Sequence, residues 1–178
     1  MPSSRKGGAF EREFAKELSL WWSDGQHDDW FWRSSASGGR ATQRAKAGKT
    51  TINSVGDISA QSAEAHQLLK LVTFELKRGY NAHTIEDLLD KPKCLLQDFL
   101  DQATRQASLS GTPYWALVRK RDRRKALVFT NIPQPQDRSK MIGFNAIPWV
   151  YDAWSTGYAL PLEDFLCYEN RQFLKALV

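Results

Sequence analysis

Gly56-Asp57 and, 18 residues later, Glu75-Leu76-Lys77 are the residues of this chain whose types and spacing could do chemistry. On a strand, positions i and i+2 project from one face, so Glu75 and Lys77 point together while Leu76 points into the core behind them. Two carboxylates and a lysine converging on one sheet face are costly without a partner. A divalent cation resolves that cost. Hard cations take oxygen ligands, and Mg²⁺ keeps several waters beside one or two carboxylates. The Leu76 backbone carbonyl can add a further ligand. Such an arrangement suits hydrolysis of a phosphodiester, an anion with a poor leaving group. The cation polarises the phosphoryl oxygen, lowers the pKa of an attacking water and stabilises the leaving 3′ oxygen. Lys77 positions that water or holds the developing charge. Glu-x-Lys also occurs as a surface pair on an edge strand; the preceding Gly-Asp at strand spacing is what favours a site.

The elements that must position these residues can be read from the periodicity. Phe10, Phe14 and Leu18 recur at helical spacing, with Gly7-Gly8 before them and Ser23-Asp24-Gly25 after, which predicts an opening helix. Trp30–Arg33 and Val55–Ala60 read as short strands, separated by a long, small-residue, basic loop over Ser34–Ser54. Ala63–Lys70 reads as a helical turn or an excursion. Leu71–Lys77 is the best strand candidate, broken by Arg78-Gly79-Tyr80-Asn81. A short helix over Ile85–Leu89 and a longer one from Leu95 to about Leu109 follow, the latter ended by Ser110-Gly111-Thr112-Pro113. Tyr114–Val118 and Ala126–Thr130 flank a basic turn. Beyond Pro133, Ile147–Trp154 and Tyr158–Leu162 are apolar and aromatic, and Glu163–Leu177 reads as one closing helix burying Phe165, Leu166, Phe173, Leu174 and Leu177. The expectation is a single domain over residues 1–178, with a core at about 5–131 and a C-terminal extension, 132–178, packed on it.

Composition narrows the partners. Hydrophobic residues are 42% and charged residues 25% of the 178, as in a folded globular protein rather than a disordered one. The net charge is +5, and its placement matters more. No Asp or Glu lies between Trp30 and Gly56, where Arg33, Arg40, Arg44, Lys46 and Lys49 fall; a second cluster runs from Arg119 to Lys125. Basic patches of this kind attract phosphate, so Arg33, Arg40, Arg44, Lys49, Arg121, Arg123 and Arg124 are candidate DNA-binding residues. A solvated loop and a soluble hairpin turn would use the same residue types. No apolar run approaches a membrane span, and no apolar stretch follows Arg5-Lys6 as a secretory signal would require. Cys94 and Cys167 lack CxxC spacing and read as reduced, buried thiols. A cytoplasmic protein, of a bacterial, archaeal or phage-infected cell, is expected.

Other signals fall away. Gly48-Lys49-Thr50-Thr51 resembles the end of a phosphate-binding loop, but Gln43 stands where that pattern needs glycine, so no nucleotide cofactor is expected. His27, His66 and His83 are isolated rather than paired as zinc ligands. Ser34, Ser35 and Ser37 lack a nucleophile-elbow context. Trp21-Trp22, Trp30 and Trp32 are candidates for an exposed aromatic patch serving dimerisation or base stacking.

Arg5-Lys6-Gly7-Gly8-Ala9-Phe10-Glu11-Arg12-Glu13 resembles the opening helix of the archaeal-type Holliday junction resolvases, within the PD-(D/E)xK nuclease superfamily. Trp32-Arg33-Ser34-Ser35-Ala36-Ser37-Gly38 resembles their next strand and its small-residue loop, and Asp57 with Phe74-Glu75-Leu76-Lys77 resembles their catalytic Asp and ExK strand. The matches keep the family's order over Arg5 to Lys77. The resemblance implies an α/β, restriction-endonuclease-like core with a mixed central sheet flanked by helices. It implies catalysis by Glu11, Asp57, Glu75 and Lys77, with metal held by Asp57, Glu75, Glu11 and the Leu76 carbonyl, and Mg²⁺ replaceable by Mn²⁺. Arg12 would face phosphate and Ser37 the DNA backbone. A Gln near the site is common in the superfamily; Gln102 is one candidate, with Gln97 and Gln106 equally available. The expected activity is a Mg²⁺-dependent DNA endonuclease cutting branched DNA, a four-way junction in particular, as a homodimer whose two-fold axis relates two sites. The Arg40–Ser54 insertion and the unmatched tail beyond Pro133 keep open a phage or mobile-element endonuclease acting on other DNA. A DNA-binding protein on a nuclease fold that does not cut is the reading from another class.

Overall fold

The computed structural model describes residues 3–34, 56–91, 93–133, 147–150 and 156–178. The opening helix, α1 (Ser3–Trp22), buries Phe10, Phe14, Ala15 and Leu18 along one stripe. It ends where Gly25 adopts a left-handed φ of 82° and its N–H donates to the Leu20 carbonyl (2.7 Å). Gly7 and Gly8, expected to precede the helix, lie inside it. The glycine cost within a helix, about 1 kcal/mol, has no steric reason at Gly8, where a Cβ would meet Arg33 Cζ at 3.5 Å, an ordinary contact.

Strand β1 (Phe31–Arg33) pairs antiparallel with β2 (Ile58–Ala60) in a separate two-stranded sheet. Helix α2 (Ala63–Leu71) follows, its first turn capped by the Ser62 hydroxyl, which accepts from the Ala65 N–H. Strand β3 (Val72–Arg78) opens the main sheet at its edge. A short α3 (Asp87–Asp90) and a long α4 (Leu95–Ser110) carry the chain over one face to β4 (Tyr114–Lys120), which pairs parallel with β3. The remaining pairings are antiparallel: β5 (Ala126–Thr130) with β4, β7 (Thr156–Pro161) with β5, and β6 (Ile147–Val150) with β7. The order β3-β4-β5-β7-β6 is thus a mixed sheet, and residues beyond 132 contribute two of its strands.

The expected closing helix is instead two, α5 (Leu162–Phe165) and α6 (Tyr168–Lys175). Cys167 is extended at the break, and Asn170 Nδ2 donates to the Phe165 carbonyl (2.8 Å), satisfying a group the interrupted helix leaves free. Phe165 and Leu174 are buried as expected, whereas Leu177 is exposed. The cysteines are half-buried rather than buried, and Cys94 Sγ accepts from the Gln97 N–H at the start of α4. The aromatic patch does not form. Trp21 and Trp22 are core residues whose indole N–H groups donate to the Cys167 and Glu64 carbonyls, leaving Trp32 exposed.

Two apolar layers sandwich β3, which is why Val72 through Leu76 are all buried instead of alternating. Phe74 and Leu76 pack towards α1, with the Phe14 and Phe74 ring centroids 5.5 Å apart. On the other face, Trp115, Leu117 and Phe129 pack against Leu96, Leu100 and Ala103 of α4. Glu75 lies in register beside Leu117, on the α4 side.

Candidate active site

Helix α4 presents a polar strip to the side of β3 that carries Glu75. Thr73 Oγ1 meets Ser110 Oγ at 2.7 Å, Glu75 meets Gln102, and Lys77 Nζ lies 5.0 Å from the Phe99 ring centroid. Descending the helix thus matches ascending the strand, and this antiparallel fit selects Gln102. Gln97 instead donates to Asp101 on an exposed side, and Gln106 stands one turn further along. Gln102 Nε2 donates to Glu75 Oε1 (2.6 Å), while Lys77 Nζ donates to Glu75 Oε1 (2.6 Å) and to Gln102 Oε1 (3.1 Å). The three side chains form a closed ring of charge-assisted bonds. Glu75 is 3% exposed, which excludes the surface ion pair that an edge-strand Glu-x-Lys would otherwise suggest.

Asp57 enters along the free edge of β3. Its N–H donates to the Phe74 carbonyl (2.9 Å), and its Oδ2 accepts from the Leu76 N–H (2.7 Å). Asp57 therefore stands where a neighbouring strand would be. Its own carbonyl accepts from the Ser34 N–H (2.8 Å), tying the end of β1 to the same edge. Gly56 makes the approach possible: its φ is +89°, and a Cβ there would lie 2.7 Å from the Phe74 carbonyl oxygen. Gly56→Ala is accordingly expected to destabilise the fold by about 1–3 kcal/mol and to displace Asp57 from the β3 edge, measurable as a lowered Tm.

Burial leaves the two acids under electrostatic stress. The Asp57 carboxyl is pushed up to about 7, first by desolvation, then by the neighbouring Glu75, and further by Glu11, against the opposing Leu76 N–H and Lys77. Burial also raises the Glu75 carboxyl, with Lys77 pulling it back and Glu11 pushing it up. Glu11, from α1, thus reaches the field of both acids, and it is ion-paired with Arg33 of β1.

A proton or a small hard cation would relieve this stress. In a strand a residue's N–H and C=O point to the same edge. The Leu76 carbonyl therefore faces the edge that Asp57 lines, since the Leu76 N–H already does. Asp57, Glu75 and that carbonyl are the oxygen donors that a hard cation could take there. Among the described residues no group of three His, Cys, Asp or Glu could by itself enclose a metal.

The candidate DNA-binding residues divide. Arg12 is exposed on α1, and Arg33 is exposed but paired with Glu11. Ser37, Arg40, Arg44 and Lys49 lie outside the described residues. Arg123 and Arg124 are exposed at the β4–β5 turn, and Arg121 is half-buried there. Other members of that basic cluster serve the fold. Arg119 is 3% exposed and its guanidinium donates to the Tyr80 and His83 carbonyls, while Lys120 and Lys125 pair with Glu13 and Glu163. The cluster is therefore only partly a free positive surface, because neighbouring carbonyls and carboxylates already take up three of its cations.

Sequence reasoning missed Phe99, the ring beneath Lys77, and Arg119, the anchor of the loop after β3. The signal for Phe99 was its i, i+3 relation to Gln102; Arg119 carried none, since a buried arginine in a basic run looks like its exposed neighbours.

Among the described residues no helix is long and apolar enough to cross a membrane. A family model described as "Phage putative PDDEXK endonuclease" matches residues 2–142. No curated protein and no solved structure matches the chain.

Proposed function

Since the chain belongs to this phage PDDEXK endonuclease family, and so to the PD-(D/E)xK superfamily, we propose that it hydrolyses DNA phosphodiester bonds at Asp57, Glu75 and Lys77, with a divalent cation. The observation that carries the reading is the buried Asp57–Glu75 pair at the free edge of β3, with Lys77 and Gln102 bonded to one Glu75 oxygen. A pure binding protein gains nothing from buried carboxylates beside phosphate, and these two raise the energy of the folded chain until a cation or proton joins them.

Asp57, Glu75 and the Leu76 carbonyl would hold the cation, Mg²⁺ with Mn²⁺ as a substitute, with Glu11 close enough to add to the negative field. A cation held there would supply charge stabilisation on the phosphoryl oxygens and would acidify water. The chain's own residues do the rest. Lys77 places a positive charge within bonding reach of Glu75, and so orients the attacking water and holds the charge that develops as the phosphodiester opens. Gln102 fixes both Lys77 Nζ and Glu75 Oε1 before substrate arrives. The Phe99 ring walls the lysine on its other side. Arg12, Arg33, Ser37, Arg40, Arg44, Lys49, Arg121, Arg123 and Arg124 are the proposed backbone contacts, and Arg33 would exchange Glu11 for phosphate.

Occupation by a cation requires Asp57 ionised, and its carboxyl is held up near 7. Mg²⁺ affinity is therefore expected to rise as pH passes from about 6 to 8, with proton release on binding; calorimetric titration in buffers of different ionisation enthalpy measures both.

The finer reading is of a single-domain cytoplasmic enzyme, a homodimer that cuts branched DNA, supported by the likeness of Arg5–Lys77 to the junction resolvases. The alternative is a phage or mobile-element endonuclease acting on other DNA, for which linear duplex serves as the comparison substrate. Incubating both labelled substrates with Mg²⁺ or EDTA decides. Metal-dependent paired nicks in the junction alone support the resolvase, and cutting of both replaces it by a broader nuclease. Absence of cutting in either, with DNA still bound, leaves the non-cleaving binding protein.

A further inference from the structure

Tyr80 occupies a backbone conformation that bulky residues avoid. Its φ is +54°, immediately after Gly79 at +90°. Surrounding bonds hold it there. The Gly79 N–H donates to the Lys120 carbonyl (2.9 Å), and the Arg119 guanidinium gathers the Tyr80 and His83 carbonyls from a buried position. Asn81 and Asp122 exchange two bonds, Nδ2 to Oδ2 (3.1 Å) and N–H to Oδ1 (2.8 Å). A left-handed conformation at this turn would suit glycine or asparagine, so an aromatic ring kept there at a backbone cost points to a use for the ring.

The ring's place indicates that use. Tyr80 is 47% exposed, and its edge packs on Phe99 with centroids 5.0 Å apart. The same Phe99 ring carries Lys77 Nζ at 5.0 Å, so ring and lysine are at most about 10 Å apart. The Asn81–Asp122 bonds seat the Tyr80 loop against the β4–β5 turn, where Arg123 and Arg124 are exposed. An exposed ring beside exposed cations is the combination that holds a single strand, base on ring and phosphate on arginine.

Resting on the nuclease reading above, we infer that Tyr80 stacks on an unpaired base flanking the bond to be cut, so that the substrate class is DNA unstacked at the cleavage site rather than continuous duplex. Inside a duplex every base face is already covered, and Tyr80 has nothing to bind.

The test compares cleavage with Mg²⁺ of one labelled strand, either fully paired or opened by a short internal bubble, by wild type, Tyr80→Phe and Tyr80→Gly. Tyr80→Gly relieves the left-handed backbone, so loss of folding does not confuse the result; Tyr80→Phe keeps the ring. The expected result is a wild-type preference in kcat/KM for the bubble that Tyr80→Phe retains and Tyr80→Gly loses by about 5- to 150-fold, the value of one stacked base. Equal preference in wild type and Tyr80→Gly, or no preference in wild type, overturns the inference while leaving the nuclease intact. A wild type that cuts neither strand overturns the nuclease reading, and the inference with it.

Discussion

Lys77→Ala is expected to reduce DNA cleavage by about 10²–10³-fold, the usual scale for removing one group aimed at transition-state charge. DNA affinity should change by no more than a few-fold. Lys77 is half-buried between Glu75, Gln102 and Phe99, so the lysine is one positive charge among the several that a DNA backbone would meet. Its truncation also leaves Glu75 without its counter-ion, which should raise the Glu75 carboxyl further and shift the remaining activity to higher pH. A pH–rate profile beside the binding isotherm separates this from general loss of fold. Wild-type cleavage rates in the alanine variant would remove the mechanism.

Asp57→Asn is expected to abolish cleavage and yet make the metal-free protein more stable. The asparagine oxygen can still accept from the Leu76 N–H, while the charge that burial and Glu75 penalise is gone. In the wild type, Asp57 keeps a proton up to about pH 7 that the unfolded chain releases near its ordinary value of 3.8. Between those values the native state binds more protons, so this group's contribution to stability falls as pH rises and levels off above 7. At pH 8 the substitution should therefore raise the metal-free Tm by about 3–8 °C. At pH 4 the gain should disappear. Mg²⁺ should stabilise the wild type at pH 8 and have little effect on Asp57→Asn. Thermal scans of both proteins, at both pH values and with Mg²⁺ or EDTA, measure all of this. A lower metal-free Tm for the variant at pH 8 would show that Asp57 is an ordinary structural carboxylate.

These two effects arise from residues that were legible as types but not as neighbours. Period-two spacing was enough to place Glu75 and Lys77 on one side of a strand with Leu76 behind. Helical spacing was enough for the buried stripe of α1. Sequence spacing has no signal for a choice among Gln97, Gln102 and Gln106, because that depends on how α4 lies across β3; the Phe99–Lys77, Gln102–Glu75 and Ser110–Thr73 contacts are tertiary. The reading of Gly7-Gly8 as a helix start failed because glycine punctuates only when tertiary contacts do not override it. The single closing helix failed at Cys167, where no proline or glycine marks the break. The basic run from Arg119 to Lys125 was legible as charge alone. Burial of Arg119 goes with its bonds to the Tyr80 and His83 carbonyls, tertiary contacts that composition does not contain.

The most direct test of the central claim is cleavage of labelled DNA, both four-way junction and linear duplex, by wild type and Glu75→Ala side by side, with Mg²⁺ and with EDTA. Products are expected from the wild type with Mg²⁺ only, and none from the variant under either condition although it still binds the DNA. Cleavage by Glu75→Ala at the wild-type rate, or by the wild type in EDTA, would contradict it.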